Sequence, residues 1–215
     1  MYKAFIFDFD YTLGDSTEGI VQSVLFALSQ LHEGSRTTEE IRRTIGLSLK
    51  DTYFTLTSNM SEEKADLFAK YFKQKADEVM VASTQIYEPV KEVFSFLRAS
   101  DCRIGIVTTK YHYRIDAILE KFSMNNMVDI IVGGDDVKTP KPDPEGLLYA
   151  MKQLQLKKAD ILYVGDSVVD AKTAEEAEVD FAGVLTGTTG AQDFAKYKNV
   201  CIADDLNGIK SFLLR

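Results

Sequence analysis

Two aspartates close an apolar run near the start of the chain, in Phe5-Ile6-Phe7-Asp8-Phe9-Asp10-Tyr11-Thr12-Leu13-Gly14-Asp15-Ser16. From Tyr2 to Phe7 the residues are apolar but for one lysine, the pattern of a parallel strand buried on both faces. Carboxylates at the end of such a strand are costly to desolvate unless a cation compensates them. In open α/β sheets, ligands bind beyond the carboxyl ends of the strands. Asp8 and Asp10 are therefore expected where such a fold does its chemistry, although an Asp-rich turn also suits the start of a helix.

The arrangement recurs at three more apolar runs. Thr108 and Thr109 follow Ile104-Gly105-Ile106-Val107, and Lys141 stands in the loop Thr139-Pro140-Lys141-Pro142-Asp143-Pro144. Asp166 follows Ile161 to Val164, with Asp170 one helical turn further on. Each alone has a plainer explanation: Thr108 as a helix cap, Lys141 as a solvated charge, Asp166 and Asp170 as helix-starting acids. Together they bring two carboxylates, a hydroxyl, an ammonium and two more carboxylates to four strand ends of one sheet edge.

The elements that must position them alternate. From Pro89 onward, helical periods separate the strands Arg103 to Val107, Ile130 to Val132, Ile161 to Val164 and Phe181 to Leu185. A strand at Val200 to Ile202 and a closing helix from Leu206 to Leu214 complete the pattern. This alternation predicts an α/β fold, a doubly wound parallel sheet of Rossmann-like form. Between Ser16 and Glu88 the periodicity is helical throughout. Ile20, Val24, Leu25, Leu28 and Leu31 mark a first helix, with Asp15 and Glu18 as a capping pair. Thr37 with Glu40 opens a short helix carrying Arg42 and Arg43. Gly46-Leu47-Ser48 interrupts it, Tyr53, Phe54 and Leu56 mark a third helix, and Ser61 opens a long one through Phe68, Phe72 and Val79. The expected organisation is a core of residues 1–15 and 89–215, with an all-helical cap, 16–88, inserted after the first strand.

Bulk properties exclude several classes. The chain has 215 residues, 45% of them hydrophobic, and a net charge of −8. That charge argues against a nucleic acid or an acidic membrane as partner. Cys102 and Cys201 form no metal or redox motif, which suits a reducing compartment, and no run is long enough to span a membrane. A cytoplasmic protein is expected.

Asp8-Phe9-Asp10-Tyr11-Thr12-Leu13, Val107-Thr108-Thr109-Lys110, Lys141-Pro142-Asp143-Pro144 and Val164-Gly165-Asp166-Ser167-Val168-Val169-Asp170 resemble, in order, the four motifs of the haloacid dehalogenase superfamily. The inserted helices resemble its C1 cap, and the nearest subgroup is that of the phosphoglycolate phosphatases. The resemblance implies a phosphatase that forms an aspartyl phosphate on Asp8, splitting one hard displacement into two. Asp10 would be general acid and then general base, its neighbouring carboxylate favouring the protonated form. Asp8 and Asp166, with the backbone carbonyl of Asp10, would hold Mg²⁺, and Asp170 would bind the metal directly or orient a water. Thr108, Thr109 and Lys141 would hold the phosphoryl oxygens.

Departures from the pattern are Tyr11, where glycine is most common, Ile20, where mutase relatives carry histidine, and Gly165, where they carry glutamate. The last two favour a phosphatase acting on a small phosphorylated molecule. A mutase or pyrophosphatase on the same machinery is the alternative within enzymes. A receiver-like binding module also uses Asp, Thr and Lys on such a sheet, but its acceptor follows a later strand and it lacks an inserted helical block. The core residues recognise only phosphoryl group and metal, so Gly46, Ser48 and Arg42 are expected to read the rest of the substrate. The Gly-rich stretch Thr186 to Gly190 could touch ligand, although a plain connection suits it better, and a monomer or homodimer is expected.

Overall fold

The apolar run near the amino terminus forms strand β1 (Ala4–Phe7), all four residues buried. In this computed structural model, which describes residues 2–214, β1 lies inside a six-stranded parallel sheet. A short strand β2 (Gly14–Asp15) follows, then helices α1 (Thr17–Gln30), α2 (Thr38–Arg42), α3 (Leu49–Thr57) and α4 (Glu62–Ser83). Strand β3 (Gln85–Ile86) forms a two-stranded sheet with β2. The alternating part continues with α5 (Pro89–Ala99), β4 (Arg103–Val107), α6 (His112–Lys121), β5 (Ile130–Val132) and α7 (Glu145–Leu154). It ends with β6 (Ile161–Gly165), α8 (Val168–Ala177), β7 (Asp180–Val184), α9 (Ala191–Phe194), β8 (Cys201–Ala203) and α10 (Leu206–Leu213).

The large sheet has the order β5-β4-β1-β6-β7-β8. Counted along this sheet's own strands that is 3-2-1-4-5-6, the doubly wound order in which the chain reverses its direction of growth beside the first strand. Tyr163, Phe181, Phe194, Ile6 and Leu147 belong to one buried cluster of this unit. The two units divide as Met1–Gly14 with Ile86–Arg215, and Asp15–Gln85. In the second, Val24, Leu28, Ile41, Tyr53, Phe68 and Met80 form a separate core. There α1 lies close on α4 because residue 19 is glycine: a Cβ would come within 2.5 Å of Ser83 Oγ.

Local signals explain most helix starts. Thr37 accepts from the Glu40 amide while the Glu40 carboxylate accepts from the Thr37 amide, a complete capping box. Ser48 and Ser61 cap α3 and α4. Two local readings are corrected. The stretch expected to be helical throughout ends in β3, because α4 stops at Ser83 and α5 starts only at Pro89. Asp15 makes no pair with Glu18; its carboxylate accepts from the Thr17 amide, with Ser16 at the N-cap position. Helix α9 begins directly after the connection Thr186 to Gly190 and buries Phe194, a helix that the sequence reading did not include. Among the described residues, no helix is long and apolar enough to cross a membrane.

Candidate active site

The sheet register sets the strand ends side by side. Phe7 pairs with Ile106 on β4 and with Val164 on β6. The Asp8 amide then donates to the Val164 carbonyl at 2.9 Å, and the Thr108 amide to the Val132 carbonyl at 3.0 Å. Asp8, Thr108 and Asp166 therefore leave the sheet at one edge, at the point where the strand order reverses.

Lys141 ties the ends together. Its buried Nζ donates to Asp8 Oδ1 at 2.8 Å, to Asp170 Oδ1 at 2.6 Å and to the Tyr163 hydroxyl at 3.1 Å. An ammonium has three hydrogens, so these contacts use all of them. Burial works against its charge, yet Asp170 and Asp8 outweigh burial and hold its pKa well above the usual lysine range. Asp8 shows the opposite balance. Burial, aided by Asp170 and Asp10 and resisted by Lys141, pushes its pKa up to about 6. Burial, then Asp170 and Asp8, push Asp166 well above the carboxylate range.

Each oxygen of Asp170 has its own task. Oδ1 meets Lys141, and Oδ2 accepts from the Ser167 amide at 3.1 Å and the Ser167 hydroxyl at 2.6 Å. Ser167 in turn caps α8 by accepting from the Asp170 amide. Asp170 is thus the helix-starting acid of the local reading and a member of the buried site as well. Room around these carboxylates is small. A Cβ on Gly165 would come 2.4 Å from Asp170 Cγ, and one on Gly187 would come 1.8 Å from Asp166 Oδ2. The loop after β7, read from sequence as a plain connection, is therefore pressed against a site residue.

Asp8, Asp166 and Asp170 each offer a carboxylate oxygen, all within 4.8 Å of one another and all buried. Hard oxygen donors in such a cluster fit Mg²⁺. Burial and mutual repulsion push Asp8 and Asp166 toward their protonated forms, and a divalent cation would relieve that repulsion. The donor set suits the metal. The Asp10 carboxylate lies outside this cluster; the Asp10 atom that the resemblance implies for the metal is its backbone carbonyl.

Asp10 meets Lys110 instead, Oδ2 to Nζ at 3.1 Å, both side chains buried. The sequence reading passed over Lys110. Its signal lay in the motif itself, a lysine two residues beyond Thr108 at the same strand end. Thr108, Thr109 and Lys141 line a narrow cleft of about 10 Å³, between the ends of β4 and β5. Tyr11 takes the left-handed conformation, φ 62°, and is buried. That conformation suits glycine best, which gives the glycine usual here a backbone reason. The other expected contacts lie in the helical unit. Ser48 caps α3 and donates to Asp51 Oδ2, Gly46 has φ 96°, and Arg42 lies 3.8 Å from Glu39.

A family model described as haloacid dehalogenase-like hydrolase matches residues 5–184. The chain is 30% identical over 195 residues to pyrophosphatase PpaX of Bacillus velezensis, covering 91% of this chain and 88% of that protein. Its backbone superposes on a haloacid dehalogenase-like hydrolase of Bacteroides fragilis with a TM-score of 0.95 at 38% identity, covering 97% of this chain and all of the other. A predicted phosphoglycolate phosphatase of Haemophilus somnus shares the fold, with a TM-score of 0.86 at 24% identity over 99% of this chain and 98% of that one.

Proposed function

The chain belongs to the haloacid dehalogenase-like hydrolases and is a phosphatase, and from that premise we propose that it is Mg²⁺-dependent and hydrolyses a small soluble phosphomonoester through an aspartyl phosphate on Asp8. The observation that carries this reading is the buried arrangement around Lys141, which joins Asp8 to Asp170 while Asp166 completes an oxygen cluster. Bound there, the metal would neutralise the carboxylates and the phosphoryl charge.

The chain's own groups divide the work. Lys141 holds one oxygen of Asp8, leaving the other as the attacking atom. That oxygen forms the bond to phosphorus while the ester P–O bond breaks, and the departing oxygen takes a proton from Asp10. In the second half Asp10 takes a proton from water as the water oxygen bonds phosphorus. The bond between phosphorus and Asp8 then breaks, releasing phosphate and restoring both carboxyl groups to their starting states. Because the three hydrogens of Lys141 are engaged within the protein, its part is to hold Asp8 and Asp170 and to offset charge in the transition state. A direct contact to a phosphoryl oxygen requires exchanging one of those bonds. Thr108, just past the end of β4 and next to the strand that carries Asp8, is the hydroxyl for that oxygen.

The substrate has a second reading. The relatives in Bacillus and Listeria are named pyrophosphatases, which favours pyrophosphate. Gly165 speaks against a mutase variant, since a side chain there would displace Asp170.

The test has two parts. Asp10→Asn mixed with an aryl phosphate should accumulate a phosphoryl group on the peptide containing Asp8, seen by mass spectrometry after acid quench. Asp8→Asn should show neither phosphorylation nor turnover. Phosphorylation elsewhere, or turnover by Asp8→Asn, would refute the covalent route. A screen of phosphorylated metabolites together with pyrophosphate, read by released phosphate, then separates the two substrates. Repeating it with Gly46→Ala and Ser48→Ala tests whether the helical unit ranks them.

A further inference from the structure

We propose that Lys110 is a positioning residue that anchors one oxygen of Asp10, so that the other oxygen alone transfers the proton. Lys110 is buried, its side chain only 4% exposed, and its Nζ lies 3.1 Å from Asp10 Oδ2. Burying an ammonium is expensive unless it is paired, so the contact defines where this side chain rests. Its backbone is braced as well: the Lys110 amide donates to Thr108 Oγ1 at 3.3 Å, and its carbonyl accepts from the Gly134 amide at 3.0 Å. The ammonium also lies 5.9 Å from the centre of the Phe9 ring, on the turn that carries Asp10.

Asp10 itself is held on a rigid turn. Its backbone forms a bridge with Gly14, the Tyr11 amide donates to the Gly14 carbonyl at 2.7 Å, and the Thr186 hydroxyl donates to the Tyr11 carbonyl. With the backbone fixed, only the side-chain torsions can misplace the carboxyl group, and Lys110 restrains them through Oδ2. The partner oxygen is the second, independent observation. Asp10 Oδ1 is buried and has no hydrogen-bond partner. A buried polar atom without one calls for an explanation, and here the explanation is a reacting group. Lys141 is not available for this task, since its hydrogens are taken by Asp8, Asp170 and Tyr163. The two buried lysines thus divide the carboxylates between them, Lys141 for the attacking group and Lys110 for the acid and base.

This inference rests on the reading of Asp10 as general acid and base, and the test separates the two. Steady-state kcat/KM, which reports the phosphorylation half of the reaction, is measured on aryl phosphates whose leaving groups run from phenol to 2,4-dinitrophenol. The proteins are wild type, Asp10→Asn, Lys110→Met, Lys110→Arg and the Asp10→Asn/Lys110→Met double variant. Poor leaving groups need the proton most, so Lys110→Met should lose roughly 10²-fold in kcat/KM on phenyl phosphate and much less on the dinitrophenyl ester. Lys110→Arg should recover part of the loss, and the double variant should be no slower than Asp10→Asn. Equal losses in kcat/KM along the series, or additive losses in the double variant, would overturn the role of Lys110. A flat series for Asp10→Asn would overturn the reading of Asp10 itself, whatever Lys110→Met does. Should Lys110→Met fail to fold, Lys110→Gln is read in the same way.

Discussion

Replacing Asp8, the proposed nucleophile, should make the metal-free protein more stable while abolishing its turnover. In the folded chain Asp8 has a pKa of about 6, against 3.8 without its surroundings. Folding therefore favours its protonated form, and charging it opposes folding. That penalty is absent below the unfolded value, grows as pH rises toward the folded one and is constant above it. At 1.36 kcal/mol per pKa unit the full penalty is about 3 kcal/mol. Asp8→Asn removes the charge and almost no volume, and its side-chain oxygen can still accept from Lys141. Lys141 also keeps Asp170 at 2.6 Å and Tyr163, so its own burial stays compensated. For a chain of this size, ~1 kcal/mol moves Tm by about 2–4 °C, so the variant should melt up to roughly 6–12 °C higher in chelator near pH 8. Near pH 4 the gap should close, because the wild-type carboxyl is then protonated as well. Thermal melting in chelator across that range is the assay, and Mg²⁺ should stabilise wild type more than the variant. A variant that melts lower at pH 8, or a gap unchanged by pH, would refute the balance described for Asp8.

Three further outcomes follow from the same geometry. Chelation should abolish turnover and Mg²⁺ should restore it, and full turnover in metal-free buffer would remove the metal from the scheme. Gly187→Ala puts a methyl group 1.8 Å from Asp166 Oδ2, so activation should need at least about tenfold more Mg²⁺, the equivalent of ~1.4 kcal/mol; an unchanged activation curve would mean the loop yields. Away from the site, burial works against the Asp129 charge, but the Ile104 amide, Arg103 and Arg98 prevail and lower its pKa. Its stabilisation is therefore present above the ordinary carboxylate range and lost as pH falls through the lowered value. Asp129→Asn should cost about 1–3 kcal/mol near pH 7, and the two proteins should converge in acid, as followed by denaturant titration.

Much of this protein is legible in its sequence because the signals are local. Apolar runs without alternation mark the buried strands, and the polar residue that ends each run marks its carboxyl end. The capping box at Thr37 and Glu40 and the cap at Ser61 need only residues three apart, so they form as the sequence indicates. The ordered set Asp8, Thr108, Lys141 and Asp166 is likewise a property of the chain, and with it the family. What the sequence leaves open is which charge meets which. Lys141 and Asp8 stand 133 residues apart, and nothing local says that all three ammonium hydrogens find partners inside the protein. The pairing of Asp10 with Lys110, the double duty of Asp170 and the press of Gly187 against Asp166 are decided by sheet register and strand order. These place side chains from distant segments within a few ångströms of one another, where burial raises the cost of every unpaired charge. Tertiary structure decides such pairings because desolvation is shared among all the groups it brings together, and no single segment carries that information.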